Sequence, residues 1–215
     1  MFTTIEPAHY GQRKNIVGEM FRLRKQVFHD MLEWDVPIQG EHERDCYDDL
    51  GPVYLVWCDP EWTTLYASLR LMPTTGPTLL RDVFRNTIPD IAALSSPSIW
   101  EATRSCVHAA NLARDFPGVV PGTAFGLLLL ATVECGLSYG IETIVANYEP
   151  RLKRVYKRAG ASFDELGRAD GFGKRPVCCG AFEISRHVAA TMRRRLGIYE
   201  HIFSRPYPVP QPIAA

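Results

Sequence analysis

The sequence predicts a mixed α/β (α+β) fold built around one sheet, and three observations predict it. Apolar residues at helical spacing open the chain, a pair of β-rich segments follows, and beyond residue 99 strands and helices alternate. Its length of 215 residues suits a single domain.

Between Arg13 and Phe28, apolar Ile16, Val17, Met20, Phe21, Val27 and Phe28 recur at helical spacing, with Arg22, Arg24 and Lys25 on the polar side. Residues 30–51 are polar, carry Pro37, Gly40 and many acids, and read as a long loop of the kind kept for function. Val53–Cys58 and Thr63–Met72 are β-branched and aromatic, with Asp59-Pro60 as the turn between them, so they predict a hairpin. Pro73–Pro77 breaks the chain, and the apolar piece Thr78–Phe84 has no clear type. Ile99–Val107 alternates as a strand, and Pro117–Pro121 interrupts again. Thr123–Tyr139 reads as a buried helix closed by Gly140. A short strand at Ile141–Ala146 precedes Pro150, which opens a helix over Arg151–Ala159 ending at Gly160. Val177–Ile184 predicts the last strand, and Ser185 caps a helix running to about Leu196. The proline-rich tail, residues 205–215, reads as extended and loose.

Composition narrows the function. Lys+Arg and Asp+Glu number 24 each, so nothing predicts a global attraction to nucleic acid or anionic lipid. The six cysteines form no C-x-x-C pair and join no histidine at zinc spacing, so no metal site is predicted and reduced thiols in the cytoplasm are expected. The amino terminus lacks a signal-peptide core, and the apolar run GLLLLATV reads as too short to span a bilayer. Neither a Gly-x-Gly-x-x-Gly fingerprint nor a Walker loop is present, and no prosthetic group is predicted.

Four clusters carry possible chemistry. Arg24 and Phe28 share a helix face and Trp34 follows the helix; together they could cage a cationic planar ligand, or they could be plain core and surface. Asp45 and Asp48 sit three apart in an acidic run, suited to an ammonium or to an arginine, or simply to solvent. Arg70 lies inside an apolar strand and needs a carboxylate, for which Asp45, Asp48 and Glu101 are the candidates. In Trp100-Glu101-Ala102-Thr103-Arg104, strand alternation puts Glu101 and Thr103 on one face and Arg104 on the other, unless a bulge brings Arg104 across. Glu101 could act as a base and Arg104 could hold a carboxylate, or the two could form an internal ion pair. No nucleophilic triad is visible, so direct transfer is favoured over covalent catalysis.

Taken together, Arg24, Phe28, Trp34, Asp45, Asp48, the block Arg70–Pro77 with Phe84, and Glu101-Ala-Thr-Arg104 resemble the autoinducer synthases of the LuxI type. The resemblance covers roughly residues 10–185, and the combined pattern is specific where each piece alone is not. Where many relatives carry a basic residue or Gln, this chain has Met31. The resemblance implies a GNAT-like single domain: a twisted, mostly antiparallel sheet flanked by helices and split by a V-shaped cleft. It implies an acyl-homoserine lactone synthase, with S-adenosylmethionine and an acyl thioester as co-substrates. In that frame Arg24, Phe28, Trp34, Asp45, Asp48 and Arg104 bind S-adenosylmethionine, with Arg70 and Phe84 in support. Glu101, Arg104 and Asp45 are the catalytic candidates. Trp100, Ser105, Cys106, Asn147 and Tyr148 are expected at the acyl pocket, where a bulky Tyr148 favours a short, branched or aryl acyl group and acyl-CoA as donor. The basic helix with Arg151 and Arg154 suits CoA phosphates or an acidic acyl carrier protein. A GNAT-type acyltransferase for another amine and a non-catalytic module of the same fold are the competing expectations.

Overall fold

In chain order the first elements are β1 (Phe2–Ile5), α1 (Lys14–Arg24), the hairpin β2 (Ile38–Gln39) and β3 (His42–Glu43), β4 (Val53–Cys58) and β5 (Leu65–Pro73). Next come α2 (Leu79–Asp82), β6 (Ile99–Val107), α3 (Ala109–Asp115), α4 (Pro121–Tyr139) and β7 (Thr143–Tyr148). The chain continues through α5 (Lys153–Ala159), β8 (Phe163–Ala169), β9 (Val177–Glu183) and α6 (Arg186–Leu196). This computed structural model describes residues 1–172 and 175–206, so most of the expected loose tail, residues 207–215, lies outside the described residues.

One seven-stranded sheet runs in the order β1-β4-β5-β6-β7-β9-β8. All its pairings are antiparallel except β6 with β7. That parallel pair holds for three steps, Ile99–Glu101 against Thr143–Val145. Beyond Glu101, β6 stays with β5 and β7 stays with β9, so the sheet opens into a V.

α4 fills one face of the sheet. It starts with Pro121 in its first turn and ends on Gly140, whose φ of 72° is the left-handed conformation glycine adopts without strain. By length and composition alone α4, at 19 residues, could cross a membrane, which corrects the reading that its apolar run is too short. Here it is a core helix: Leu128, Leu130 and Ala131 are fully buried with Leu69 and Leu71 of β5, Ile144 of β7 and Val188 of α6. The Ser185 hydroxyl accepts the Val188 amide and starts α6 as expected. α1 covers the opposite face, burying Ile16, Met20 and Phe21 against Ile5, Tyr54 and Val56.

Three elements are absent from the sequence reading. β1 has only four residues, α3 only seven, and β8 (FDELGRA) carries charges and a glycine along a sheet edge. The expected loop 30–51 is also more ordered than its composition suggests. The chain leaves α1 through a widened π-helical segment, Lys25–Met31, then forms the β2–β3 hairpin and a 3-10 turn, Cys46–Leu50.

Two tethers shape the frame. The long β5–β6 connection is tied to both arms of the V. On β6, the Glu101 carboxylate accepts the Leu79 and Leu80 amides at 3.1 and 2.6 Å. On β7, Asn147 Nδ2 donates to Thr87 Oγ1 at 3.2 Å. At the far edge, Glu134 of α4 is 4% exposed and accepts the Ile202 and Phe203 amides, both at 2.9 Å, while Phe203 bridges Phe2 and covers the edge of β1.

The first tether sets a steric condition on β8. A Cβ at Gly167 would lie 2.4 Å from the Thr87 carbonyl oxygen, and backbone on both sides leaves nothing flexible to yield. Gly167→Ala is therefore expected to cost about 1–3 kcal/mol in urea denaturation, in line with overpacking a filled site.

Candidate active site

Three arginines reach one buried spot from three elements. Arg24 closes α1, Arg70 sits mid-strand on β5, and Arg104 lies on β6. They meet three carboxylates from the segment that follows α1: Glu43 of β3, and Asp45 and Asp48 of the 3-10 turn. Arg24 grips Asp48 with two bonds of 2.8 Å and reaches Glu43 through Nε at 2.5 Å. Arg70 binds Asp45 at 2.5 and 3.1 Å, Asp48 at 3.0 Å and the Thr103 hydroxyl at 3.0 Å. Arg104 donates to Glu43 at 3.0 and 3.1 Å and to Asp45 at 2.9 Å.

The carboxylates are positioned by their own backbone. Asp45 caps the 3-10 turn by accepting the Tyr47 amide, and Asp48 reaches back to the Asp45 amide, completing a capping box. The Tyr54 hydroxyl adds a bond to Asp48 at 2.9 Å. Burial would raise the Asp48 pKa, but Arg24, and then Arg70, outweigh it and hold the carboxyl well below the usual range.

Arg104 gets there through a bulge. Ser68 pairs with Cys106 and Arg70 with Thr103, so Leu69 alone faces Arg104 and Ser105. Arg104 takes the left-handed φ of 56°, which is strained for a side-chain-bearing residue. The extra residue inverts the strand's alternation. Glu101 and Thr103 point to the α1 face before it and Cys106 after it, while Ala102 and Ser105 point to α4. Arg104 thereby joins the ionic group, as the sequence allowed if a bulge were present.

The widened turn after α1 sets the aromatic side of the site. The Trp34 amide bonds to the Phe28 carbonyl at 2.9 Å, and the two rings stack with centroids 5.3 Å apart. The Arg104 guanidinium lies 5.3 Å from the Phe28 ring centroid. Trp34 is 37% exposed and Arg104 10%, whereas Arg24 and Arg70 are at 1%. Arg24, expected at the S-adenosylmethionine site, has all three nitrogens engaged by Glu43 and Asp48.

Glu101 is fully buried where β6 and β7 part. Burial pushes its pKa up to about 7 in spite of the Leu79 and Leu80 amides and the nearby Arg70 and Arg104 charges. Phe84 packs edge-to-face on Phe172, 4.9 Å between centroids, and supports the Tyr47–Met72–Leu79 cluster behind the site.

The model of the family described as autoinducer synthase matches residues 8–192. The chain belongs to the autoinducer synthase family. The acyl-homoserine-lactone synthase of Rhizobium etli is 39% identical over 181 residues, covering 83% of this chain and 82% of its own. The structure of BjaI, a CoA-dependent acyl-homoserine lactone synthase with SAM and isopentyl-CoA, superimposes with a TM-score of 0.81 at 26% identity, over 97% of this chain and 94% of that one. An acyl-CoA N-acyltransferase from Pseudomonas aeruginosa shares the fold alone, with a TM-score of 0.52 at 15% identity over 84% of this chain and 98% of its own. The chain is thus an acyl-homoserine-lactone synthase, an acyltransferase on a GNAT-like fold.

On the α4 face of the synthase, the V encloses an apolar cavity of about 50 Å³. Ala102 and Ser105 of β6, Ile144 and Ala146 of β7, and Phe125 and Leu129 of α4 line it. Ser105 lines this cavity, and Trp100, Cys106, Asn147 and Tyr148 do not. Cys106 points to the α1 face because the bulge reverses the alternation. Asn147 turns to Thr87, since its neighbours Ala146 and Tyr148 take the α4 side. The Tyr148 ring is buried among Tyr156, Phe163 and Phe182 beside the cavity. Trp100 lines a second cavity instead. On the outer surface, Arg151 is ion-paired with Glu149 at 2.8 Å and Arg154 is exposed.

Glu43 is the site residue that sequence reasoning overlooked. It is 0% exposed and bridges Arg24 and Arg104. No local signal sets it apart from the other acids of its run; only the fold brings it to Arg24 and Arg104. Arg24→Lys should lower stability by about 3–5 kcal/mol, because a single ammonium cannot replace the fork between Asp48 and Glu43 and leaves buried carboxylates under-paired. Chemical denaturation of the purified variant measures it.

Proposed function

We propose that the synthase transfers a short, branched or aryl acyl group from acyl-CoA to the amine of S-adenosylmethionine and then closes the lactone, releasing methylthioadenosine. One observation carries this reading. The cleft between β6 and β7 has the charged, aromatic-edged site on one face and a small apolar cavity on the other. A polar cationic substrate and an acyl chain can meet there.

In this reading the Phe28–Trp34 pair faces the sulfonium, an attraction worth about 0.5–2 kcal/mol. Arg104, the most exposed of the three guanidiniums, holds the methionine carboxylate, and Asp45 beside it holds the amino group. Arg24, Arg70 and Asp48 keep those two groups in place. The ammonium must first lose a proton. Glu101, with a pKa near 7, accepts it through water. The amine nitrogen then attacks the thioester carbonyl, a C–N bond forms, the C–S bond breaks and CoA leaves as thiol. The carboxylate oxygen next attacks the γ-carbon of its own chain. The C–O bond forms as the sulfonium takes back its electron pair, so cation and anion both become neutral products.

The donor follows from charge and volume. Arg154, Lys157 and Arg158 are exposed on or beside α5 and suit the phosphates of CoA. Tyr156 and Phe182 narrow the cavity, which disfavours long chains. Both co-substrates are cytosolic metabolites, and we place the synthase in the cytosol.

Two measurements test this. Purified synthase given S-adenosylmethionine and isovaleryl-, aryl- or long-chain acyl-CoA, beside the matching acyl carrier proteins, should release methylthioadenosine fastest with a short or aryl CoA ester. Equal turnover of long-chain acyl carrier protein would overturn the donor assignment, and acyl transfer without methylthioadenosine would overturn the lactone. For Glu101, the base is unprotonated only above its pKa, so kcat/KM should rise with pH through about 7. Glu101→Gln should lose that limb and fall by about 10²–10⁴-fold, with the KM for S-adenosylmethionine unchanged. A variant that keeps the limb would remove Glu101 from the reaction.

A further inference from the structure

We propose that Tyr47 is a positioning residue: its hydroxyl ties the turn that carries Asp45 to the short helix that holds Glu101, so one side chain sets both acids in a common frame. The proposal rests on the acyl-transfer reading above, in which Asp45 holds the amine and Glu101 takes its proton.

Tyr47 touches both sides. Its backbone amide donates to Asp45 at 3.1 Å. The Arg70 guanidinium, which also grips Asp45, lies 5.5 Å from the Tyr47 ring centroid. The Tyr47 hydroxyl donates to the Asp82 carboxylate of α2 at 3.0 Å. The ring, 7% exposed, packs with Leu79 of α2 and Met72 of β5. Leu79 supplies one of the two amides that hold Glu101, and Met72 is the cross-strand partner of Glu101. Contacts therefore run unbroken from Asp45 through Tyr47 to Glu101.

α2 needs such a tie. It spans only Leu79–Asp82, and a helix of one turn makes too few internal bonds to hold its own position. Thr78 caps it by accepting the Arg81 amide, which keeps the turn but does not anchor it to the sheet. The Glu101 carboxylate grips its beginning and Tyr47 its end. Removing the hydroxyl frees the end and loosens the two amides on Glu101.

Those amides favour the charged carboxylate, so loosening them raises the Glu101 pKa further. The other groups around Glu101 hold their charge state near neutrality. Arg70 of β5 and Arg104 of its own strand carry fixed charges. Cys179 of β9 is pushed up to about 12 by burial and stays a thiol, and the β7 partner Val145 is apolar. Burial, and then Asp82, push the Tyr47 phenol up, so it remains a donor.

The test follows methylthioadenosine release against pH. Tyr47→Phe should move the rise of kcat/KM up by about one pH unit, the size of one hydrogen bond to a charged group. At pH 7 that lowers kcat/KM by about five-fold, and by pH 9 the variant should match wild type, with the KM for S-adenosylmethionine unchanged. Asp82→Ala should give the same shift, and Asp82→Asn, which keeps an acceptor oxygen, should restore most of it. Tyr47→Phe and Asp82→Ala together should shift the rise no further than either alone. Amide hydrogen exchange of Leu79 and Leu80, read without substrate, should quicken by about ten-fold in Tyr47→Phe. A rise that does not move, a loss that persists undiminished at pH 9, shifts that add, or unchanged exchange overturns the proposal. A rise that survives Glu101→Gln defeats the proton-accepting role of Glu101 instead, while the exchange of Leu79 and Leu80 still decides whether Tyr47 holds α2.

Discussion

Three guanidiniums against three carboxylates, buried together, is the constraint the rest of the site depends on. Taking such charges out of water costs several kcal/mol per ion, and the mutual attraction repays it only when every partner is present and well aligned. Here each carboxylate serves two arginines: Glu43 joins Arg24 to Arg104, Asp45 joins Arg70 to Arg104, and Asp48 joins Arg24 to Arg70. The group is thus a closed ring of alternating sign. Its consequence is geometric more than energetic. It pulls a polar segment with little apolar periodicity down onto the sheet and fixes where Asp45 and Arg104 stand. Arginine suits this role because one rigid fork spans two acids, which a lysine ammonium does not.

The bulge at Arg104 turns that ring into part of a cleft. A regular strand would send Arg104 toward α4, opposite Glu101 and Thr103. With one extra residue, Arg104 joins the ionic face and Ser105 joins the apolar face. The same strand then leaves β7 after Glu101, so the two faces communicate through the opening. The strain of a left-handed arginine is borne by the bonds it makes to Glu43 and Asp45.

Much of this was legible in the sequence wherever a local rule decides the outcome. The hairpin, the Gly140 and Gly160 stops and the Ser185 cap depend on neighbours a few residues away, and all appear as expected. Phe28, Trp34, Asp45, Asp48, Arg70 and Arg104 do converge. What escaped depends on long-range contacts. β1 and β8 are edge strands whose pairing, more than their composition, makes them strands. Segment 30–51 is ordered by ion pairs across up to 61 residues of sequence, which no window of periodicity reports. Glu43 looked like one more acid in an acidic run. Cys106 and Asn147 adjoin Ser105 and Ala146 in sequence, yet the sheet turns them to the opposite face.

Glu101 and Asp48 show how far environment alone can separate two carboxyls in one site. Asp48 meets two guanidiniums, a tyrosine hydroxyl and a backbone amide, and stays ionised far into acid. Glu101 is more deeply enclosed, meets two amides and no direct cation in this arrangement, and sits near the midpoint of its titration at neutral pH. A group that braces a site must keep its charge, and in the proposed reaction a group that moves a proton must be able to lose its own. The ionic ring gives Asp48 the first property. The position of Glu101 gives it the second: it lies outside the ring, at the apex where β6 and β7 separate, close enough to Arg70 and Arg104 to feel their charge without being neutralised by it.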